Sequence, residues 1–192
     1  MQGTRPIAIG LLAILCLPVL AQPADAAEPQ VRIETSAGNI TIRLEAERAP
    51  LSVKNFLSYV EEGFYEGTVF HRVVTGFIIQ GGGFNQELEA KPAHPPIANE
   101  SGNGLSNHRG TIAMARTSEP HSADAQFYIN LADNVTLDPK PTRWGYAVFG
   151  EVIEGMEVVD EIGHRATSAR KDQPDAPVQP VLINKVVLLA AP

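Results

Sequence analysis

The segment Phe70-His71-Arg72-Val73-Val74-Thr75-Gly76-Phe77-Ile78-Ile79-Gln80-Gly81-Gly82-Gly83 constrains this chain more than any other. Two runs of β-branched and aromatic residues meet at Thr75-Gly76, a turn signal, so they read as paired antiparallel strands. Each run carries one polar residue that a simple core would reject, Arg72 in the first and Gln80 in the second. Desolvating a guanidinium is costly unless acceptors meet its donors. In a regular strand Arg72 shares a face with Phe70 and Val74. The expectation is an oriented guanidinium ready for a carbonyl or an anion, with the Gln80 amide oxygen accepting from one N–H. The three glycines are expected to stop the second strand. They lack the Lys-Ser/Thr of a phosphate loop and open no helix, so they suit a bend or a close backbone approach rather than a nucleotide.

The same strand grammar recurs along the chain. Val31, Ile33 and Thr35 alternate with polar residues, Ala37-Gly38-Asn39 turns, and Ile40, Ile42 and Leu44 alternate again, which predicts a hairpin. Thr111–Ala115, Gln126–Leu131, Tyr146–Val152 and Val181–Leu189 are further strands. Pro50 and Gly63 bracket a helix whose buried stripe is Val53, Phe56, Leu57 and Val60. A second helix is expected over Gly155–Ile162, with Met156, Val159 and Ile162 inward. Residues 84–110 and 165–180 read as loops, and a loop as long as the first is usually functional or mobile. About eight short strands and two helices in 192 residues make one mainly β domain. Closing the strands into an antiparallel barrel removes their free edges, and the helices then cap the open ends.

Composition narrows what such a barrel can bind. Hydrophobic content of 44% and charged content of 19% fit a packed core rather than disorder. A net charge of −7 argues against nucleic acid and against electrostatic attachment to a membrane surface. The amino terminus has the layout of a secretory signal: Arg5, an apolar run from Ile7 to Leu17, Pro18, then Ala24-Asp25-Ala26 as a cleavage site. The run is shorter than the ~20 residues that a spanning helix needs. Residues 1–26 are therefore expected to be a signal peptide and 27–192 the mature domain. That domain should be exported, to the periplasm or outside the cell, with no membrane anchor. Its cleavage would remove Cys16, the only cysteine, and leave no thiol chemistry. The five histidines are scattered without metal-ligand spacing, so neither metal nor cofactor is expected.

Two other stretches carry candidate chemistry. In Gln126-Phe127-Tyr128-Ile129-Asn130, Phe127 and Tyr128 point to opposite faces, so one ring should pack inside and the other face a groove. His121, Ser122 and Asp124 invite a hydrolase reading. Residues so close in sequence seldom form a triad, and no nucleophile elbow accompanies them.

Taken together, the segment from Phe70 to Gly82, Gly110-Thr111-Ile112-Ala113-Met114-Ala115, Gln126-Phe127-Tyr128-Ile129 and Val148-Phe149-Gly150 resemble the cyclophilins, which are peptidyl-prolyl cis-trans isomerases. The match runs in order from about residue 30 to 189. Gly81-Gly82-Gly83-Phe84, Pro95-Pro96-Ile97, Met114-Ala115-Arg116-Thr117 and Asn130-Leu131-Ala132-Asp133-Asn134 look most like its exported bacterial branch. The resemblance implies an eight-stranded antiparallel barrel with two capping helices and an enzyme that accelerates rotation about X–Pro bonds of exported client proteins. Arg72 matches the catalytic arginine of that family. Phe77, Ile78, Tyr128 and Leu137 match its proline pocket, Gln80 and Gln126 match groups that hold the substrate backbone and the arginine, and Ala115 and Arg116 match its groove.

The chain also departs from the family pattern. The frequent rim tryptophan falls at Thr136, the frequent rim histidine at Tyr146, and the frequent asparagine after Met-Ala is Arg116. Because that tryptophan supports binding of the inhibitor cyclosporin, weak cyclosporin binding is expected. Trp144 is near the site in sequence but not at the usual tryptophan position. A monomer acting on proline-containing polypeptides is the expectation. The competing reading is a binding module on the same scaffold that holds such segments with negligible turnover.

Overall fold

The protein is described here as a computed structural model covering Gly3 and residues 28–190. The signal peptide expected over residues 1–26 lies, apart from Gly3, outside the described residues. The described strands are β1 (Gln30–Thr35), β2 (Gly38–Leu44), β3 (Thr68–Val74), β4 (Ile78–Asn85), β5 (Thr111–Met114), β6 (Phe127–Asn130), β7 (Val148–Glu154), β8 (Thr167–Arg170), β9 (Gln173–Pro177) and β10 (Leu182–Leu188). The helices are α1 (Pro50–Glu61) and α2 (Met156–Gly163), with one short 3-10 turn at Val135–Leu137.

Eight of these strands close a barrel in the order β1-β10-β3-β4-β6-β5-β7-β2, and β2 pairs back onto β1. All the pairings are antiparallel. Inward positions build one core from Val31, Ile33, Ile40, Ile42, Phe70, Val73, Ile79, Ile112, Phe127, Ile129, Phe149 and Ile183. Both helices bury into that core: α1 through Val53, Phe56, Tyr59 and Val60, α2 through Val159 and Ile162. Phe56 meets Phe127 edge-on with ring centroids 5.7 Å apart. Burying a side chain of this size is worth roughly 1.5–3 kcal/mol. Leu57 and Met156 are only partly buried, whereas Tyr59, absent from the expected stripe, is fully buried. The stripe on α1 is therefore rotated by about one residue from the i, i+3, i+4 reading.

Three further features differ from the sequence reading. Arg72 does not share a face with Phe70. The pairing of β3 with β4 slips between Phe70–Gly81 and Arg72–Gln80, so one residue, His71, is extra on β3. A bulge of this kind breaks the period-2 alternation. Phe70 and Val73 both point into the core, and Arg72 stands on the outer wall beside Gln80. Nor do the glycines stop β4, which runs through them to Asn85. Gly82 has φ +85°, and a Cβ there would come within 2.9 Å of the Phe127 and Tyr65 rings. Glycine is what lets the strand bend against the packed aromatics. Finally, residues 165–180 contain the hairpin β8–β9, a separate two-stranded sheet laid over the outside of β3. Its turn at Lys171 and Asp172 contains no glycine and its strands no alternating apolar residues, so no pattern announced it.

The long excursion over residues 86–110 is tied down by polar side chains. Glu100 accepts from the backbone N–H groups of Leu51 (3.0 Å) and Ser52 (2.7 Å) and from the Ser52 hydroxyl, so it caps α1 from 48 residues away. The residue preceding α1, Ala49, has no side chain that could do this. The Asn103 amide donates to the Val148 carbonyl at 2.9 Å, and Ser101 accepts from the Gly145 N–H at 3.0 Å.

Candidate active site

The outer wall of β4, β5 and β6 carries a second apolar cluster, separate from the barrel core. Ile78, Ala113, Ala115, Tyr128 and Val148 are buried in it, and Phe77, Leu105, Leu137 and Tyr146 pack against it. Alternation explains the division: Ile79, Ile112 and Phe127 point inward while their neighbours Ile78, Ala113 and Tyr128 point outward. The expected split between Phe127 and Tyr128 is observed.

A recess of about 230 Å³ opens on this cluster and is lined by Arg72, Phe77, Ile78, Gln80, Ala115, Arg116, Tyr128, Leu137 and Tyr146. Gln126 lies just outside it, in an adjoining recess of about 260 Å³ that shares Gln80, Ala115 and Arg116. A larger hollow of about 440 Å³ lies among Gly102 and residues 139–144 and includes Trp144, but it shares no residue with these two. The smaller recess is the better candidate because apolar rings and hydrogen-bond donors converge there. Thr136 is exposed and does not line it.

A chain of polar contacts crosses the rim. Arg72 Nη1 donates to Gln80 Oε1 at 3.4 Å, and Gln80 Nε2 donates to Gln126 Oε1 at 3.1 Å. Gln80 is thus held at both ends of its amide. The amide NH2 of Gln126 has no protein partner among the described residues and is available to a bound carbonyl. Gly83 makes room for this arrangement, since a Cβ there would sit 2.5 Å from Gln126 Cγ. Asp175, on β9, approaches Arg72 Nε at 3.4 Å.

Arg116 is committed elsewhere. It donates to the carbonyls of Gly145, Trp144 and Thr117 at 3.1, 3.0 and 2.8 Å, and its guanidinium lies 4.3 Å from the Tyr146 ring centroid. It therefore fixes the loop that carries Tyr146, and Tyr146 in turn meets Tyr128 edge-on at 5.9 Å.

A buried asparagine network lies under the recess, and sequence reasoning missed it. Asn107 and Asn130 are fully buried and Asn134 nearly so. The Tyr128 hydroxyl donates to Asn107 Oδ1 at 2.7 Å, and Asn107 donates through its amide and its backbone N–H to Asp138, each at 2.8 Å. Asn134 donates to the Phe77 carbonyl and to Asn130, also at 2.8 Å. Three walls of the recess are thereby fixed from behind, at Phe77, at Tyr128 and beside Leu137. Burial tends to raise the Asp138 carboxyl, but hydrogen bonds from Ser106 and Asn107 outweigh it and hold the group below its usual range. Burial pushes the Tyr128 phenol well above its usual range, so it remains protonated. The only signal in the sequence was the stretch from Asn130 to Asn134, where polar residues follow a strand without marking a turn. Asp175 gave no signal, because the hairpin that carries it was read as loop.

His121 and Ser122 form no triad. His121 Nδ1 accepts from the Asn99 backbone at 3.0 Å, and Ser122 Oγ is bonded within the Thr117–Ser122 turn.

The fold and the recess define a class: a closed antiparallel barrel with a ring-sized apolar recess on its outer wall beside an arginine and two amides. Its relatives give the family. The sequence pattern described as "Cyclophilin type peptidyl-prolyl cis-trans isomerase/CLD" matches residues 30–188. The chain belongs to this family. It is 46% identical over 188 residues to peptidyl-prolyl cis-trans isomerase A of Dickeya dadantii, covering 97% of this chain and 98% of that protein. It is 49% identical to peptidyl-prolyl cis-trans isomerase B of Escherichia coli, covering 82% and 98%. Among solved structures, a cyclophilin type peptidyl-prolyl cis-trans isomerase of Cryptosporidium parvum superposes with a TM-score of 0.71 at 26% identity, covering 86% of this chain and 99% of that one. The same protein in the presence of the dipeptide Ala-Pro gives 0.70 at 27% identity, with 84% and 99% covered.

Proposed function

We propose that this isomerase catalyses X–Pro rotation without covalent chemistry, through Arg72, on proline-containing segments of exported proteins. The observation that carries the reading is the convergence of one guanidinium and one apolar, ring-sized recess on the outer wall of the barrel. A prolyl ring fits against Phe77, Ile78, Tyr128 and Leu137, while Gln126 meets the backbone beside it.

The physical demand is modest in kind and large in size. Resonance gives the peptide C–N bond partial double-bond character and a barrier of ~18–20 kcal/mol. As the bond twists, resonance is lost, the prolyl nitrogen becomes pyramidal and its lone pair localises. A hydrogen bond from Arg72 to that nitrogen, or to the rotating carbonyl oxygen, strengthens in the twisted state, which is what catalysis requires. A 10⁵-fold acceleration corresponds to about 7 kcal/mol. Arginine suits the task because its side chain keeps its charge and presents several fixed donors. Gln80 keeps the guanidinium from swinging into solvent.

Arg72→Ala should lower kcat/KM on an Ala–Pro peptide by about 10²–10³-fold, the usual effect of removing one transition-state donor. A protease-coupled assay measures this, and circular dichroism checks that the fold survives. Undiminished turnover would reject Arg72 as the catalytic group, and negligible turnover in the unaltered chain would favour the binding-module reading.

Export is supported by the signal-like amino terminus, and among the described residues no helix is long and apolar enough to cross a membrane. We expect the working form to be a monomer. At the rim, Thr136 supplies no indole and Trp144 stands at a different hollow. Cyclosporin should therefore inhibit weakly, and tight low-nanomolar inhibition in a titration would overturn that expectation.

A further inference from the structure

We propose that Asp175, on the β8–β9 hairpin, is a positioning residue for this reaction. Its carboxylate orients the Arg72 guanidinium, and the inference rests on the reading of Arg72 as the catalytic group.

Arg72 reaches the site on a long side chain from a bulged strand, and such a side chain has many rotamers to lose when it is fixed. Two side chains hold it. Gln80 meets Nη1 at 3.4 Å, and Asp175 Oδ2 lies 3.4 Å from Nε. The Gln80 contact is a hydrogen bond and the Asp175 contact an ion pair at a different point of the planar fork, so the carboxylate draws the Nε edge towards β9 by charge while Gln80 holds Nη1. The other N–H groups, chiefly those of Nη2, are left for a substrate.

The hairpin is built to deliver this contact. Ala176, the next residue, is 1% exposed and packs with Val69 and Leu88, which pins β9 to the outside of β3. Gln173, two residues earlier, reaches the adjoining recess that Gln80 and Gln126 line. The strand β9 thus follows the edge of the site and contributes two polar side chains to it. The Arg72 and Asp175 side chains are about one-third exposed (32% and 38%), and an ion pair in such a setting adds little to stability. What it supplies is orientation. A carboxylate beside Arg72 also withdraws some of its field from the substrate, so a mere counter-ion would slow the reaction and its removal would speed it. The two roles predict opposite signs.

The test compares Asp175→Ala and Asp175→Asn with the unaltered chain in the protease-coupled assay. Positioning predicts that Asp175→Ala lowers kcat and kcat/KM together by about tenfold with KM little changed, because Arg72 acts in the transition state. Asp175→Asn, which keeps an acceptor of the same shape, should recover part of the loss. The Arg72 Nε–Hε resonance in a ¹⁵N-edited NMR spectrum should shift or broaden in Asp175→Ala as the side chain begins to average over rotamers. In an Arg72→Ala background, Asp175→Ala should have no further effect. Unchanged or raised kcat in Asp175→Ala would overturn the inference, as would a loss of activity with an unaltered Arg72 resonance. Should Asp175→Ala disturb the hairpin, Asp175→Ser, whose hydroxyl is too short to reach Arg72, decides through the same two readings. Full activity of Arg72→Ala would overturn the reading of Arg72 itself. An inactive Arg72→Ala with a fully active Asp175→Ala would overturn only the role of Asp175.

Discussion

His71 carries the charge consequence of the β3 bulge. As the extra residue of the β3 bulge it lies on the outer wall, yet it is only 2% exposed and its ring is 4.5 Å from that of Phe84. Burial lowers its pKa to about 4, with the Arg72 charge acting in the same direction and the Val69 carbonyl against it. The sign follows by linkage. Between pH 6.5 and about 4 the unfolded chain binds the proton and the folded chain does not, so acid favours unfolding. The stability supplied by a neutral His71 is complete above pH 6.5 and should fall by about 3 kcal/mol on descending to pH 4. Urea melts across that range should show the slope, and His71→Phe should flatten it. Arg72, by contrast, stood out in the sequence through its apolar neighbours, and the structure places it at the rim of the recess. Its face was not legible, because a bulge is a pairing defect between two strands and leaves no mark on either one alone.

At the scale of elements, α1 was readable from Pro50 to Gly63, but the group that caps it was not. Local capping rules look within a few residues of a helix start, and Ala49 offers nothing there. Glu100 does the work through three contacts. Glu100→Ala should therefore cost about 1–2 kcal/mol, at the upper end for a lost cap because two backbone N–H groups lose their partner. A lowered thermal midpoint with a shorter protected stretch at the start of α1 in hydrogen exchange would register it. The barrel strands themselves were legible because each needs only a period-2 pattern and a turn. The β8–β9 hairpin was hidden because it buries almost nothing beyond Ala176 and Pro177. Its strands hold together through backbone pairing and contact with β3, and neither depends on an apolar pattern.

For the whole molecule, alternation along each strand divides the work. The inward set packs one core, and the outward set on β4, β5 and β6 builds the recess. Ile78 and Tyr128 alternate with the inward Ile79 and Phe127, so their outward face was readable from the strand pattern, whereas Phe77 and Leu137 lie outside the strands and were named only through the family resemblance. The support beneath them was not readable, because Asn107, Asn130 and Asn134 belong to distant segments that only closure of the barrel brings together.

The excursion that carries Glu100 and Asn107 also has a consequence for how the molecule can open. Within a few residues it caps α1, holds Gly145, supports Val148 and props the Tyr128 ring. These anchors are residues of a single strip of chain, so peeling it away frays the first turn of the helix and slackens the wall of the pocket in the same event. The Tyr128 wall thus shares its route to disorder with the helix start: melting of this strip loosens both, and the free energy of that common opening limits how rigid that side of the pocket stays.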